Sequence, residues 1–595
     1  MSEPQTKSKL SHELRIVVAS LLSMAVILLW AKYFGPKPPA VPPQASRPAQ
    51  TAPVAPGKTS VTTPPAPNTG GPSRAPATAV SGVPAATIPA KSDTQERTII
   101  VENDLYHVEF SNHGAVVKSW QLKKYLDDAK PPRVLDLVHP DAAKETGGWP
   151  FAVALDDQQL EAAANNGLYQ ISSTADILHA PADAEFSWSD GHLEVTKTLH
   201  FDHTYVVRVE SSVKFNGAPI TSGLAWLGGF GDLTVANPSP IDTVSTFYSE
   251  SGKLSNIMAK KLEGPEKWPN GVWQGGKDWA GIQDRYFTAA FLPAKGAAPG
   301  TLEARYWKIP RTVQVEGKDT DDPVPQIATG TSAQPVAMRI YVGPKDYDEL
   351  KKINPPLNAL VNFGWFEFIA DPLFHALKWL HTYIPNWGWA IVVLTLIINM
   401  LLFPLKYTGY KTSLKMQRVA PEIKQIQEKY KKYAMRDPRK AEMNKEVMAV
   451  YSREGINPVG GCIPQLLQMP IWFGLYRALQ GTIEMRHAPW FGWIRDLSAK
   501  DPYYILPVLM GLSMYLATKM TPMTATDPQQ QAMMKFMPIG MSAMFVVIPY
   551  PSGLAVYILT SGLVGIAQQW WLNRMHPLPA PANPVRGKNG KNKKQ

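Results

Sequence analysis

Uncharged polar residues inside apolar stretches are the first feature of this sequence that could carry chemistry. Asn399 interrupts the apolar run Trp387–Leu405, and Thr395 lies one helical turn before it on the same face. Gln465 and Gln468 interrupt a later run at a depth that can match that of Asn399. Polar side chains in lipid face other helices or a water-filled cavity, because they would otherwise lack partners. The spacing leaves two interpretations open, a hydrophilic groove or hydrogen bonding between helices.

Little in the sequence supports metal binding, enzymatic catalysis or ion-coupled transport. His107, His113, His200 and His203 lack the spacing of metal ligands, and no nucleophile–base set is recognisable. We therefore predict neither an enzyme nor a metal site. No carboxylate lies within an apolar run, which argues against an ion-coupled transporter. Arg477 is the only charge well inside a run, and we favour a membrane-surface anchor over a buried site.

The composition divides the chain into a polar part before residue 350 and an apolar part after it. The mean hydropathy of −0.17 averages the two, and the single cysteine excludes an intrachain disulfide framework. The net charge of +11 is concentrated in two segments. Lys406–Glu454 holds 13 Lys or Arg against 6 Asp or Glu, and residues 573–595 hold 6 Lys or Arg and no acid. Basic segments beside spans orient a membrane protein and can meet anionic partners.

The apolar runs predict six membrane spans, since a helix needs about 20 residues to cross a bilayer. The predicted spans are residues 16–34, 387–405, 459–482, 503–520, 533–549 and 553–572. The last two form one run of about 40 residues, which the turn sequence PYPSG at 549–553 divides. This division places the N-terminal lysines, the basic segment 406–454 and the basic tail on one side. The positive-inside rule then predicts that both termini are cytoplasmic.

The N-terminal part is predicted to be an anchor followed by a tether. Residues 1–15 are cytoplasmic, and 16–34 are an uncleaved anchor, with a cleaved signal peptide as the alternative. Residues 35–96 are a Pro/Ala-rich linker, with 15 prolines between residues 36 and 95. A spacer is favoured there over a protein-recognition segment.

Period-two alternation of β-branched and aromatic residues predicts a large antiparallel β-sandwich at 97–345, outside the inner membrane. Residues 346–386 are predicted to lie in the membrane interface, with Asp371 as N-cap before Pro372. The alternative is a helix packed on the β domain. Residues 483–502 and 521–532 are the predicted periplasmic and cytoplasmic loops.

Residues 406–458 are predicted to form a cytoplasmic helical hairpin. Its coiled-coil seam consists of Met416, Val419, Ile423, Ile426, Tyr430 and Tyr433, continued after the turn by Met443, Val447 and Val450. The turn is at Asp437-Pro438. The hairpin is either a solvated stalk or a lever or docking arm. Its candidate functional residues are Pro421, Tyr430, Tyr433, Asp437 and Pro438.

Seven stretches between about residues 362 and 572 resemble the YidC/Oxa/Alb family of membrane protein insertases, in its long form from bacteria with two membranes. They are NWGWAIVVLTLIINMLLFPL, KMQRVAPEIKQIQEKY, NPVGGCIPQLLQMPIWFGLYRAL, LSAKDPYYILPVLMG, KMTPMTATDPQQQ, FMPIGMSAMF and YPSGLAVYI. The β region resembles the family's periplasmic domain more loosely, for example in QDRYFTAAFLP.

The resemblance implies a five-helix insertase core with a hydrophilic groove open to the cytoplasm. Such a protein binds nascent membrane proteins and releases apolar helices to lipid, alone or beside the Sec translocon, with no cofactor and no small-molecule substrate. The groove residues are Thr395, Asn399, Gln465, Gln468 and Tyr557. The ribosome-proximal residues of the basic tail are Arg586, Lys588, Lys591, Lys593 and Lys594.

One position departs from the family pattern. Members usually carry an arginine where this chain has Asn399, and an amide cannot attract acidic client residues by charge. The sequence therefore predicts that Asn399→Arg improves insertion of clients with acidic leading tails. The tyrosine pair usual after the PSG turn is half retained, because Ile558 follows Tyr557.

We predict an insertase and chaperone of the inner membrane. The alternative is a transporter or polysaccharide exporter with a carbohydrate-binding β domain.

Overall fold

The computed structural model describes most of the chain after residue 87. The described residues are 88–234, 244–264, 272–315, 318–332, 334–433, 437–457, 463–521, 536–537, 540, 543–544 and 550–576, without the side chains of 314–315, 318 and 463–465. The predicted first span, the linker up to residue 87, most of the fifth span and the tail beyond residue 576 lie outside the described residues.

The β region contains 22 strands within the described residues. They are β1 (Thr98–Glu102), β2 (Tyr106–Ser111), β3 (Val116–Leu126), β4 (Val134–Asp136), β5 (Ala152–Ala154), β6 (Gln170–Ile171), β7 (Ile177–His179), β8 (Ala182–Ser189), β9 (Leu193–Phe201), β10 (Val206–Phe215), β11 (Ala218–Pro219), β12 (Gly223–Trp226), β13 (Ser245–Glu250), β14 (Lys253–Met258), β15 (Gln274–Lys277), β16 (Trp279–Gln283), β17 (Phe287–Pro293), β18 (Leu302–Ile309), β19 (Thr312–Val315), β20 (Lys318–Asp321), β21 (Val324–Thr331) and β22 (Val336–Pro344). Three short helices accompany them: α1 (Pro140–Thr146), α2 (Gln158–Asn166) and α3 (Tyr347–Lys352).

The strands form three sheets and one hairpin. The first sheet has the order β4-β3-β2-β1-β7, and the largest has the order β14-β13-β16-β17-β22-β10-β9-β8-β6 with β11 beside β10. The third sheet is β15-β18-β21-β12-β5, and β19 pairs with β20. Every described strand pair is antiparallel except β1 with β7, where Ile100 is opposite Ile177. The predicted antiparallel β-sandwich is therefore confirmed apart from this one parallel pair.

One apolar core joins the three sheets. Val108 and Trp120 from the first sheet, Val195 from the largest and Trp226 from the third are all buried in the same cluster. In β9 every second residue is buried, as the alternating sequence LEVTKTLHF predicts for a strand with one face on a core.

The predicted linker extends too far toward the β domain. Ile88 N donates to Gly191 O at 3.3 Å, and Lys91 pairs with Ser189 as an antiparallel bridge. Residues 88–96 are therefore the first segment of the β domain, and composition alone could not place this boundary because the pairing partners are distant in sequence.

Lys197 occupies one of the inward positions of β9. Its Nζ donates to the carbonyl oxygens of Gly114, Ala115 and Phe151 at 2.8–3.0 Å. Burial lowers the pKa of this ammonium group to about 7. Lys345 is also buried, and burial lowers its pKa to about 8.

The free energy of unfolding should therefore rise with pH from about pH 7.5 to about pH 9. An unfolded lysine with a pKa near ~10.4 binds more protons than the folded group in this window, which favours the unfolded chain at lower pH. The effect is at most about 1.4 kcal/mol per pH unit for each group. Chemical unfolding of the full chain in detergent at both pH values measures it. Lys197→Met should give a shallower pH dependence, and an unchanged slope would contradict this origin.

Seven longer helices follow the β domain within the described residues. They are α4 (Glu367–Tyr383), α5 (Trp387–Leu401), α6 (Phe403–Lys429), α7 (Arg439–Arg453), α8 (Ile463–Gly481), α9 (Ile505–Met520) and α10 (Ser552–Met575). No unbroken helix in this part of the chain combines the length and apolar composition that a membrane crossing requires, whereas α5 and α6 do so together across a bend of 54°.

Helix α4 begins at Glu367, so the prediction that Asp371 is its N-cap is wrong. Phe366 stacks on Phe473 with ring centroids 5.4 Å apart, and this packing precedes the predicted start. Pro372 lies inside the helix. Ala370 and Phe374 belong to the β-domain core, which confirms the alternative of packing on the β domain for this half of α4. An interfacial position of the other half stays a prediction.

The apolar run predicted to end at Leu405 is divided at Leu402. Pro404 occupies the first turn of α6, where a missing backbone N–H removes no helical hydrogen bond. Helices α6 and α7 pack through Val419, Ile423 and Val450, three residues of the predicted seam, and a cytoplasmic hairpin stays a prediction. Asp437 accepts a hydrogen bond from Arg439 N at the predicted turn.

Candidate functional site

One face of α10 carries a row of polar side chains. Tyr557, Ser561 and Gln568 are spaced by four and seven residues, so they lie on one side of the helix over about 16 Å. Helix α5 packs along this side and contributes Asn399. We call Tyr557, Ser561 and Gln568 the polar row.

Asn399 is fully buried between α5 and α10. Its Nδ2 donates to Thr395 O at 2.8 Å and to Ser561 Oγ at 3.3 Å. Gln568 Nε2 donates to Asn399 O at 3.2 Å. These bonds join the end of α5 to the polar row.

Lys406 lies just beyond the bend and completes this group. Its Nζ donates to Asn399 Oδ1 at 2.7 Å and to Gln568 Oε1 at 3.3 Å. The last carbonyl groups of α5 carry negative partial charge, which favours a cation there. We call Asn399, Lys406, Ser561 and Gln568 the bend cluster.

A second polar contact lies at the other end of the polar row. Gln468 on α8 donates through Nε2 to the Tyr557 hydroxyl at 2.8 Å. Tyr557 is 1% exposed, and Gln468 is half-buried with its Oε1 buried and unpaired among the described residues. An amide oxygen left without a donor is costly, so this position favours an additional hydrogen-bonding group.

Apolar side chains surround these polar groups. The buried residues of this helical cluster include Ile391, Leu394, Ile398, Leu475, Leu479, Leu554 and Val556. Hydrogen bonds in such surroundings are stronger than in water, and unpaired polar groups are more costly.

A separate set of contacts joins the helices to the β domain. Arg486 Nη2 lies 2.6 Å from Asp232 Oδ2, and both side chains are almost completely buried. Arg285 Nε donates to Gln480 O at the end of α8, at 2.8 Å. Asp232 N in turn donates to the buried Asp284 carboxylate at 2.9 Å. We call these contacts the junction.

Asp128, His487 and Asp496 are the potential metal ligands that the junction brings together, with ligand atoms within 4.8 Å of one another. His487 Nε2 lies 2.6 Å from Asp128 Oδ1, so these two groups satisfy each other as a hydrogen-bonded pair. Burial alone would raise the pKa of Asp128, but the hydrogen bond from His487 and the charge of Arg486 outweigh it and lower this pKa. We assign no metal to this group.

Two family models match the chain. The model of the 60Kd inner membrane protein matches residues 379–579, and the model of the YidC periplasmic domain matches residues 98–376. The chain is 34% identical to the membrane protein insertase YidC of Citrifermentans bemidjiense, over 94% of this chain and 99% of that protein.

The chain belongs to the YidC family.

One further relative and one solved structure are also similar to this chain. The YidC of Aromatoleum aromaticum is 38% identical over 58% of each chain. A crystal structure of an active YidC insertase with its first transmembrane domain resolved is 18% identical, covers 82% of this chain and 95% of its own, and has a TM-score of 0.33. The names of these relatives give no support to the alternative of a transporter or polysaccharide exporter.

The structure places four of the five predicted groove residues in two contacting pairs, and a single groove that contains both pairs stays a prediction. Thr395 and Asn399 lie along α5, and Gln468 contacts Tyr557. Thr395 is fully buried, and its hydroxyl donates to Ile391 O at 2.7 Å. These contacts match the alternative of hydrogen bonding between and within helices, while an open groove stays a prediction. The side chain of Gln465 lies outside the described residues.

The structure describes the predicted site residues of the hairpin but not those of the tail. Tyr430 is buried and donates through its hydroxyl to Glu446 at 2.8 Å, and Arg439 lies over the Tyr433 ring at 3.8 Å. Pro421 lies inside α6, and Pro438 directly precedes α7. The tail residues Arg586, Lys588, Lys591, Lys593 and Lys594 lie outside the described residues.

Three residues of the bend cluster were missed in the sequence. Ser561 and Gln568 lie four and eleven residues after Tyr557, and this helical spacing was a usable signal. Lys406 is the first residue of the predicted hairpin, and its contact with Asn399 was not predictable because it depends on the bend at Leu402.

Proposed function

We propose that this chain inserts membrane proteins into the inner membrane and assists their folding there. The observation that carries the proposal is the polar row and bend cluster inside an otherwise apolar group of helices. The activity stated in the names of its relatives supports the same conclusion. Polar groups at depth in a membrane protein mark a path for a polar substrate.

Client polypeptides enter from the side of the bend cluster. A short polar segment of the client exchanges hydrogen bonds with Asn399, Gln468 and Tyr557, and its apolar helix moves sideways into lipid. The unpaired amide oxygen of Gln468 supports this role, because an entering backbone N–H group would satisfy it.

The proposed orientation follows from charge. Six spans with both termini in the cytoplasm place the basic hairpin and tail on the cytoplasmic side. The β domain then lies in the periplasm, and the second half of α4 lies at the membrane interface. The ribosome approaches the basic tail, and the Sec translocon acts beside the chain for larger clients. No cofactor takes part.

Reconstitution tests the proposed function. Liposomes that contain only this protein should integrate a small single-spanning protein, measured by protection of its translocated tail from added protease. Liposomes without the protein give the background. Solute uptake by the same liposomes, without any integration of the client, would refute the proposal and favour a transporter.

Client crosslinking tests the path. A photo-reactive amino acid at position 468 or 557 should crosslink to a stalled nascent chain several-fold more strongly than one at Leu563. Leu563 is the matched control because it lies on α10 and is exposed, away from the polar row. Equal yields from 557 and 563 would contradict the proposed path.

A further inference from the structure

One face of α6 changes from apolar to charged along its length. Phe403, Tyr407 and Lys411 are spaced by four residues, so they lie on one side of the helix over about 12 Å. The centres of the Phe403 and Tyr407 rings are 6.5 Å apart, and Lys411 Nζ lies 4.3 Å from the centre of the Tyr407 ring. We call these three residues the graded row, because their polarity increases with distance from the bend.

The end of α10 forms a second wall beside the graded row. The Trp571 ring is 5.6 Å from the Phe403 ring, and Nε2 of His576 is 3.3 Å from the Tyr407 hydroxyl. Phe403 and Tyr407 also pack against the buried cluster that contains Leu572. Trp571 nevertheless remains 45% exposed. The two helices therefore form one surface with an exposed aromatic end and a basic end.

The basic end of this surface lacks a counterion within the described part of the chain. Lys411 is exposed, and no carboxylate oxygen of the described residues lies within 4.0 Å of its Nζ. Arg574 on α10 is also exposed and has no carboxylate that close among the same residues; it lies over the Trp570 ring at 5.6 Å. Lys429, farther along α6, is instead paired with Glu446 at 2.8 Å. Two uncompensated cations favour an anionic ligand here.

We propose that this surface binds an anionic phospholipid, with its phosphate at Lys411 and its acyl chains along Phe403 and Trp571. The order of groups along the surface is the order of groups in such a lipid. Aromatic rings come first, then the hydroxyl of Tyr407 and the ring nitrogens of His576 beside the glycerol esters, and then the cation. Basic pockets at the cytoplasmic ends of membrane helices suit anionic headgroups. The inference rests on the proposed function, whose orientation places this surface in the cytoplasmic leaflet.

The neighbouring side chains explain why a net negative lipid is preferred over a zwitterionic one or a free anion. A zwitterionic headgroup brings a positive group that needs an acceptor, whereas Lys411 and Arg574 offer only donors. A free anion would leave the exposed indole of Trp571 uncovered, and indole rings favour the headgroup level of a membrane. One lysine near an anionic membrane surface contributes about 5-fold to binding.

The test titrates the full chain in detergent micelles with phosphatidylglycerol or phosphatidylcholine of identical acyl chains. Native mass spectrometry measures the fraction of protein that carries lipid. Lys411→Gln removes the charge, and Lys411→Arg keeps it. Lys424→Gln is the matched control, because Lys424 is an exposed lysine of the same helix, about 20 Å farther from the bend. The melting temperature of each variant reports on folding.

Lys411→Gln should weaken binding of phosphatidylglycerol about 5-fold and leave phosphatidylcholine within about 2-fold. Lys411→Arg and Lys424→Gln should match the unmodified protein. Trp571→Ala should weaken both lipids to a similar extent, because it removes a contact with the acyl chains. The inference fails if the unmodified protein binds both lipids equally, or if Lys411→Gln and Lys424→Gln have the same effect. Displacement of phosphatidylglycerol by inorganic phosphate would also overturn it, since the site would then be one for free anions.

Lipid binding and client insertion are measured separately. Loss of the lipid preference, with client insertion in liposomes intact, would overturn this inference alone. Failed insertion with an intact lipid preference would instead refute the proposed function.

Discussion

Replacing Arg486 by alanine should lower the free energy of unfolding by about 3–5 kcal/mol, because it leaves the buried carboxylate of Asp232 without its partner. The side chains of this pair are 3% and 1% exposed, and their closest atoms are 2.6 Å apart. Water therefore cannot replace the guanidinium group. The loss should appear as a large drop in the melting temperature of the full chain in detergent.

A surface ion pair provides the matched control. Arg453 lies 2.6 Å from Glu422, but these side chains are 58% and 42% exposed. Arg453→Ala should therefore change stability by less than about 1 kcal/mol. The double variant Arg486→Met with Asp232→Leu should recover much of the loss, because it removes both charges together. A change below 1 kcal/mol for Arg486→Ala would show that the junction pair is solvated.

The junction contains a long-range contact that could not be predicted from the sequence. Asp232 and Arg486 are 254 residues apart, and neither lies in a segment with a periodic pattern. Their contact depends on the relative placement of the β domain and the loop after α8. No local rule predicts such a pairing between a loop of the β domain and the loop after α8.

Periodic segments were predictable because burial follows directly from spacing. The alternation in β9 identified an inward face, and the seam of the hairpin identified Val419, Ile423 and Val450. The start of α4 was not predictable in this way. Asp371-Pro372 is a strong local start signal, but packing of Phe366 and Ala370 extends the helix before it.

The uncharged polar residues of the site were predictable from the sequence, but its lysine, Lys406, was not. Asn399 and Thr395 were recognisable as polar residues in an apolar run. Lys406 follows Asn399 by seven residues, which in a straight helix is two turns or about 10.5 Å. The bend at Leu402 and the length of the lysine side chain together allow the 2.7 Å contact, and the angle of this bend is not predictable from the sequence.

This contact reverses the expectation for Asn399→Arg. In the sequence, the substitution adds a missing charge and should improve insertion of clients with acidic tails. In the structure, it removes one of the two acceptors of Lys406 and places a guanidinium group in a fully buried position beside an ammonium group. Two like charges about 4 Å apart repel by about 4 kcal/mol at an effective dielectric constant near ~20. We therefore expect Asn399→Arg to reduce both insertion and melting temperature.

The double variant Asn399→Arg with Lys406→Gln should regain insertion of clients with acidic leading tails, because it again contains one cation beside Gln568. A double-mutant cycle over Asn399→Arg and Lys406→Gln, with insertion and melting temperature as readouts, measures this coupling directly. We expect a coupling of about 1–3 kcal/mol in favour of the double variant, less than the full repulsion because the arginine can move away from the lysine. If the double variant were as defective as Asn399→Arg alone, the loss would come from the size of arginine in a buried position, and the charge of Lys406 would have no part in it.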